Sequence, residues 1–191
     1  MIRTPAQERY SLLLLIFGRL SRKVMRPISV IGVFPLDKTN AMRLLESARI
    51  PFRTAEYDYD EADLSGVHAA ESIGMPAEQV FKTLVARGDK TGPLVFCIPV
   101  AEELDLKKAA AVSGNKRVEL VHLKELLGLT GYVRGGCSPV GMKKKYPTYI
   151  DETAELFDEI AVSAGARGRQ LILSPAGLIG YTGARPAALT V

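Results

Sequence analysis

Short apolar runs fenced by glycine and proline most constrain what this chain can fold into. Residues 81–86 and 94–100 are rich in β-branched and aromatic side chains. Gly88-Asp89-Lys90-Thr91-Gly92 separates them, which predicts two buried strands joined as a hairpin. Further strands are expected over 52–59, 118–121, 131–133, 148–151, 160–163 and 170–173. Helical stretches fall between them: 41–48 behind Thr39 or Asn40 as N-cap, 67–73 closed by Gly74, and 106–112 behind Asp105 and ended by Gly114. Others are expected over 122–127, stopped by Gly128, over 153–157, and over 175–179. Helices and strands mix without the strict alternation of parallel βαβ units. The expected architecture is therefore a single α/β domain of the α+β kind, a mixed, curved sheet flanked by short helices.

At 191 residues and 47% hydrophobic content the chain can bury one sizeable core, and its 24% of charged residues gives no sign of disorder. The formal charge of +4 invites a polyanion reading, but it is unevenly spread. Residues 1–36 hold Arg3, Arg9, Arg19, Arg22, Lys23 and Arg26 against Glu8, which leaves 37–191 at about −1. Residues 1–36 are set apart as an N-terminal extension of unknown role, and 37–191 as the folded domain. The apolar run over 12–17 is too short to span a bilayer and lacks the length and cleavage site of a secretory signal, so a cytoplasmic protein is expected. Two cysteines, Cys97 in an apolar run and Cys137 in a glycine-rich loop, cannot build a disulfide or zinc framework.

Two features stand out chemically. Gly135-Gly136-Cys137-Ser138-Pro139-Val140-Gly141 leads into Lys143-Lys144-Lys145, and such a loop lets main-chain N–H groups approach a ligand closely. Read alone, a structural turn is the first reading of it. Lys82 lies inside an apolar strand, where alternation puts it on the face opposite Phe81 and Thr83, either lining a pocket or meeting water. Cys137 is the one candidate for a reactive thiol, and packing is the favoured reading for it because no histidine is near in sequence. There is no Gly-x-Ser-x-Gly elbow and no Cys-x-x-Cys or His-x-x-x-His pattern, so neither a hydrolase triad nor a metal centre is expected.

Several segments in order resemble the YbaK/EbsC family of aminoacyl-tRNA deacylases, relatives of the editing domain of bacterial prolyl-tRNA synthetase. They are Lys38-Thr39-Asn40-Ala41-Met42-Arg43-Leu44-Leu45, Val80-Phe81-Lys82-Thr83-Leu84, Leu104-Asp105-Leu106-Lys107-Lys108-Ala109-Ala110, the stretch from Thr130 through Gly141, and Val162-Ser163-Ala164-Gly165-Ala166-Arg167-Gly168. The resemblance implies a pocket that receives the aminoacylated 3′ end of tRNA. It places Lys82 in that pocket as the catalytic residue with Thr83 beside it. It also implies that Gly135, Gly136, Ser138 and Gly141 cradle the ester and terminal ribose, that Ser163 and Gly165 line the opposite wall, and that Tyr57 offers a stacking surface. No protein nucleophile, metal or cofactor is implied; the chemistry would be assisted by the substrate. The expected activity is trans-editing, the removal of cysteine from Cys-tRNA(Pro), with prolyl-tRNA synthetase as a candidate partner. The departures at Ser65-Gly66, where the family often carries an aromatic before the glycine, and at Ala164, where a glycine is usual, bear on substrate choice.

Three other readings compete. The same domain would act on alanine or serine esters, would bind tRNA ends without turnover, or would hydrolyse small esters with no tRNA partner. Rates on Cys-, Ala- and Ser-tRNA separate the first two, and salt-independent activity on free esters marks the third.

Overall fold

The computed structural model describes residues 37–191; the extension over 1–36 lies outside the described residues. Helix α1 (Asn40–Ser47) begins where Thr39 Oγ1 accepts a hydrogen bond from the Met42 N–H at 3.3 Å. Strand β1 (Arg53–Glu56) and helix α2 (Gly66–Ile73) follow, α2 being capped by Ser65 and ended by Gly74 with φ +67. A 3₁₀ turn (Ala77–Gln79) leads into the hairpin of β2 (Val80–Gly88) and β3 (Gly92–Pro99). Then come α3 (Leu106–Val112), β4 (Val118–Leu120), α4 (Leu123–Thr130), β5 (Thr148–Asp151) and a second 3₁₀ turn (Glu152–Leu156). Strands β6 (Ile160–Ser163) and β7 (Arg169–Leu173), helix α5 (Pro175–Thr182) and strand β8 (Arg185–Ala187) complete the chain.

The strands form one eight-stranded sheet ordered β1-β7-β6-β2-β3-β5-β8, with β4 also pairing to β2. The β2–β6, β3–β5 and β5–β8 pairs are parallel and the rest antiparallel, so the sheet is mixed as expected. One face carries Phe81, Val95, Cys97, Val162 and Leu171 into the main core, closed by Ala41 and Leu45 of α1 and Leu178 of α5. The other face is covered in two places. Val80, Ala161 and Ile172 lie under Ala70 of α2, and Leu94, Phe96 and Ile98 lie under Ala109 and Ala110 of α3. Burying side chains of this size stabilises the sheet by about 1.5–3 kcal/mol each.

Three local expectations are corrected, and one further strand is found. Residues 131–133 form no strand: Gly131 adopts φ +83 as the C-cap of α4, its N–H donating to the Leu127 carbonyl at 3.0 Å, and the chain turns there. Helix α4 runs through Gly128 to Thr130, because the helix-breaking cost of an interior glycine is only about 1 kcal/mol. The turn after β5 is 3₁₀ rather than an α-helix. Strand β8 lies where no element was expected, and Pro186 is tolerated in it because β8 is the outermost strand of the sheet.

Candidate functional site

Parallel pairing between β2 and β6 is brief: Val80 faces Ala161, Phe81 faces Val162, and the register then stops. On that edge β2 finds its next strand partner only at Ala86, opposite Leu120 of β4. The sheet therefore splits beyond Phe81, and a cavity of about 410 Å³ opens in the split. Crevices between diverging strands at their carboxyl ends are usual ligand sites in α/β sheets.

Strand alternation decides which side chains look into the gap. Lys82 lies two residues beyond Val80, and Ser163 two beyond Ala161, while Ser163 pairs with Gln170 of β7. Lys82, Ser163 and Gln170 thus share one face, and all three line the cavity. The α2 side supplies Leu64, Ser65, Gly66 and Val67, and Tyr57 closes the end, its ring edge-on to His68 at 6.5 Å. Gly66 is required there by packing: a Cβ at this position would come within 2.3 Å of the Val100 side chain.

The Lys82 Nζ donates to the Val100 carbonyl at 3.1 Å and keeps two further donor positions. Burial lowers its pKa below the ordinary lysine value, opposed by the nearby carboxylates of Glu103 and Glu102. Of the two alternatives left open for Lys82, the pocket is the one observed. Thr83 contributes differently. The Val80 carbonyl accepts from Val100 on the β3 side and the Val85 carbonyl accepts from Val121 on the other. Main-chain groups alternate in direction along a strand, so those of Thr83 point into the split, where the register gives them no strand partner.

The glycine-rich loop reaches the cavity only in part. Gly135 and Cys137 line it. The Gly136 N–H is already committed to the Val133 carbonyl at 3.0 Å, and Ser138 is fully buried with its Oγ accepting from the Val140 N–H at 3.2 Å. Gly141, at φ +79, packs against Asn40, Leu44 and the Tyr132 hydroxyl rather than the cavity. Gly165, at φ +91, sits against the Tyr132 ring and donates to Ser163 Oγ at 3.2 Å. Of the residues expected at the site, Lys82, Thr83, Tyr57, Gly135 and Ser163 meet in the cavity, while Gly136, Ser138, Gly141 and Gly165 lie behind its wall as support.

Burial pushes the thiols of Cys97 and Cys137 up to about 12, so neither is a thiolate near neutral pH. No histidine and no carboxylate lines the cavity among the described residues. No helix there is long and apolar enough to cross a membrane. The expected site did not include Gln170, Arg134, Leu64 or Val67, while Ser65 and Gly66 were noted only as departures bearing on substrate choice. A signal existed for Gln170, a polar residue heading the otherwise apolar strand Gln170-Leu171-Ile172-Leu173, the same oddity that singled out Lys82.

Fold and cleft together define a class: a mixed-sheet α/β domain with a cavity of about 410 Å³ beside a half-buried lysine. The family follows from comparison. The aminoacyl-tRNA editing domain matches residues 63–181, and the chain belongs to that family. A relative from Enterococcus faecalis, assigned as the Cys-tRNA(Pro)/Cys-tRNA(Cys) deacylase EbsC, is 50% identical over 154 residues, which cover 81% of this chain and 94% of the relative. A proline–tRNA ligase from Shouchella clausii is 32% identical over 100 residues, 52% of this chain and 17% of that protein. A crystal structure assigned as a trans-editing enzyme for prolyl-tRNA synthetase superposes with a TM-score of 0.70 at 26% identity, covering 81% of this chain and 99% of that one.

Proposed function

We propose that the chain is a trans-editing deacylase that removes cysteine from Cys-tRNA(Pro), the 3′-terminal ester entering the split between β2 and β6. The observation that carries this reading is a cavity with a lysine and an unpaired strand edge but no nucleophile in its reactive form. Ser65 and Ser163 line it without a histidine to activate them, and the Cys137 thiol is held protonated. Such a site binds and polarises an ester rather than attacking it. The attacking group then comes from the substrate. The cysteinyl sulfur closes on its own carbonyl carbon, the bond to the ribose oxygen breaks and the thiol proton passes to that oxygen, which leaves a cysteine thiolactone that water then opens to free cysteine. Lys82 and the Thr83 N–H are the donors suited to the carbonyl oxygen as negative charge develops there. Gly135 lets the loop approach the ribose, and Tyr57 offers a face to the terminal adenine.

Prolyl-tRNA synthetase is proposed as the partner that delivers the substrate, on the strength of the relative within a proline–tRNA ligase. A deacylation panel tests the assignment. Purified protein should release cysteine from Cys-tRNA(Pro) well ahead of alanine or serine from the matching esters. Equal rates on all three would transfer the function to a broader deacylase. Binding of aminoacyl-tRNA without turnover would make the domain a recognition module.

A further inference from the structure

Gln170 is 6% exposed, lines the cavity, and carries in its Oε1 the one buried side-chain polar atom without a hydrogen-bond partner among the described residues. A buried acceptor with nothing donating to it is costly, and native structures keep few of them. Gln170 lines the cavity although its Oε1 is itself sealed from solvent, and a half-turn of the terminal amide presents that oxygen to a donor bound there. The charges around it say which donor. Lys82 and Arg134, the charged residues that line the cavity, are both cations. An aminoacyl ester brings an α-amino group, and the ammonium of Lys82 repels that group from the β2 side. It is left to the β6–β7 side, where the amide oxygen of Gln170 stands opposite Ser163 in the register.

We infer that Gln170 Oε1 accepts a hydrogen bond from the α-amino group of the bound aminoacyl ester, fixing the ester so that its carbonyl turns toward Lys82. The inference rests on the deacylase reading and adds a selectivity to it: the cleft reads the α-amino group, not only the side chain. An acyl group without that amine leaves the acceptor unpaired and binds weakly, as sites built around a hydrogen bond reject ligands that lack it.

Two stable analogues test this on the full chain. Both are amides of 3′-amino-3′-deoxyadenosine, one carrying cysteinyl and the other 3-mercaptopropanoyl, which differs only by the missing α-amine. By calorimetry the wild type should bind the cysteinyl compound about tenfold or more tightly than its des-amino counterpart. Gln170→Leu should bring that ratio close to one while the melting temperature holds or rises, because an unsatisfied acceptor has been replaced by an apolar group. Gln170→Met repeats the test with an unbranched side chain should leucine fail to fold. A packing role would instead lower the melting temperature and leave the ratio unchanged, which would overturn the inference. Equal binding of both analogues by a wild type that still hydrolyses Cys-tRNA(Pro) would overturn it alone. A wild type that neither binds them nor hydrolyses the ester would remove the deacylase reading as well.

Discussion

Lys82 illustrates how one residue links sequence, environment and chemistry. Its strand position came from alternation, but the two faces of β2 are both apolar, and only the split in the sheet decides that this face opens onto a cavity. If its ammonium holds the ester carbonyl, Lys82→Ala should fold and lose deacylation by roughly 100-fold or more, in line with the removal of one donor from an oxyanion site. Circular dichroism and the rate on Cys-tRNA(Pro) check both halves. The lowered pKa adds a pH signature. The charged form persists below the folded pKa, so activity should fall as pH rises through a value below that of ordinary lysine. Lys82→Arg, charged at every accessible pH, should remove that fall whatever its absolute rate. The contribution of Lys82 to stability runs the other way. Between the folded and unfolded pKa the unfolded chain binds the extra proton, so Lys82 itself adds stability with rising pH; the buried thiols of Cys97 and Cys137, pushed up to about 12, act the opposite way, and a melting curve at each pH separates unfolding from the loss of activity. Cys137→Ser should keep most of the rate, because a buried thiol held near 12 takes no part. Abolished turnover in that variant would demand a covalent mechanism.

Among the elements, those with a strong local signature were readable and those fixed by distant partners were not. Thr39 and Asp105 cap their helices with the side-chain bonds that their sequence positions promise, and the hairpin of β2 and β3 follows from its apolar runs and glycine-flanked turn. The glycine-rich loop was legible as unusual but not as divided: φ at Gly135 and Gly141 is positive in both, yet one faces the cavity and the other faces α1. No local pattern distinguishes them, since the difference lies in Asn40 and Leu44, about a hundred residues away in the chain. Gly141→Val should therefore act on stability, not on ester contact. Gly66 makes a sharper test of an element's placement, because the first turn of α2 rests on the Val100 side chain. Gly66→Ala should push α2 outward and cost about 1–3 kcal/mol, read from the urea midpoint. Val100→Ala in the same chain removes the colliding Cγ1 but keeps the Cβ at 2.6 Å, so it should recover only part of that loss; additive losses would show that α2 is not seated by this contact.

For the whole molecule, charge and substrate size pull in different directions. A tRNA substrate brings a phosphate backbone, and binding that neutralises phosphates weakens steeply with salt. Yet residues 37–191 carry a formal charge near −1, and the excess of positive charge lies in residues 1–36. Catalysis and anchoring are expected to separate accordingly. The Enterococcus faecalis relative aligns over nearly all of its own length in 154 residues, so a deacylase of this family does not need an added segment of that size. A variant beginning at Asp37 should keep its melting temperature and its rate on a minimal 3′-cysteinyl adenosine ester. On full-length Cys-tRNA(Pro) it should show a higher KM with little change in kcat, and a shallower fall of kcat/KM with rising salt. Titrating both proteins from low to physiological ionic strength reads the two slopes side by side. An unchanged slope would place the phosphate contacts in the folded domain, on clusters such as Lys143-Lys144-Lys145, and a loss of rate on the minimal ester would show that residues 1–36 contribute to the site itself.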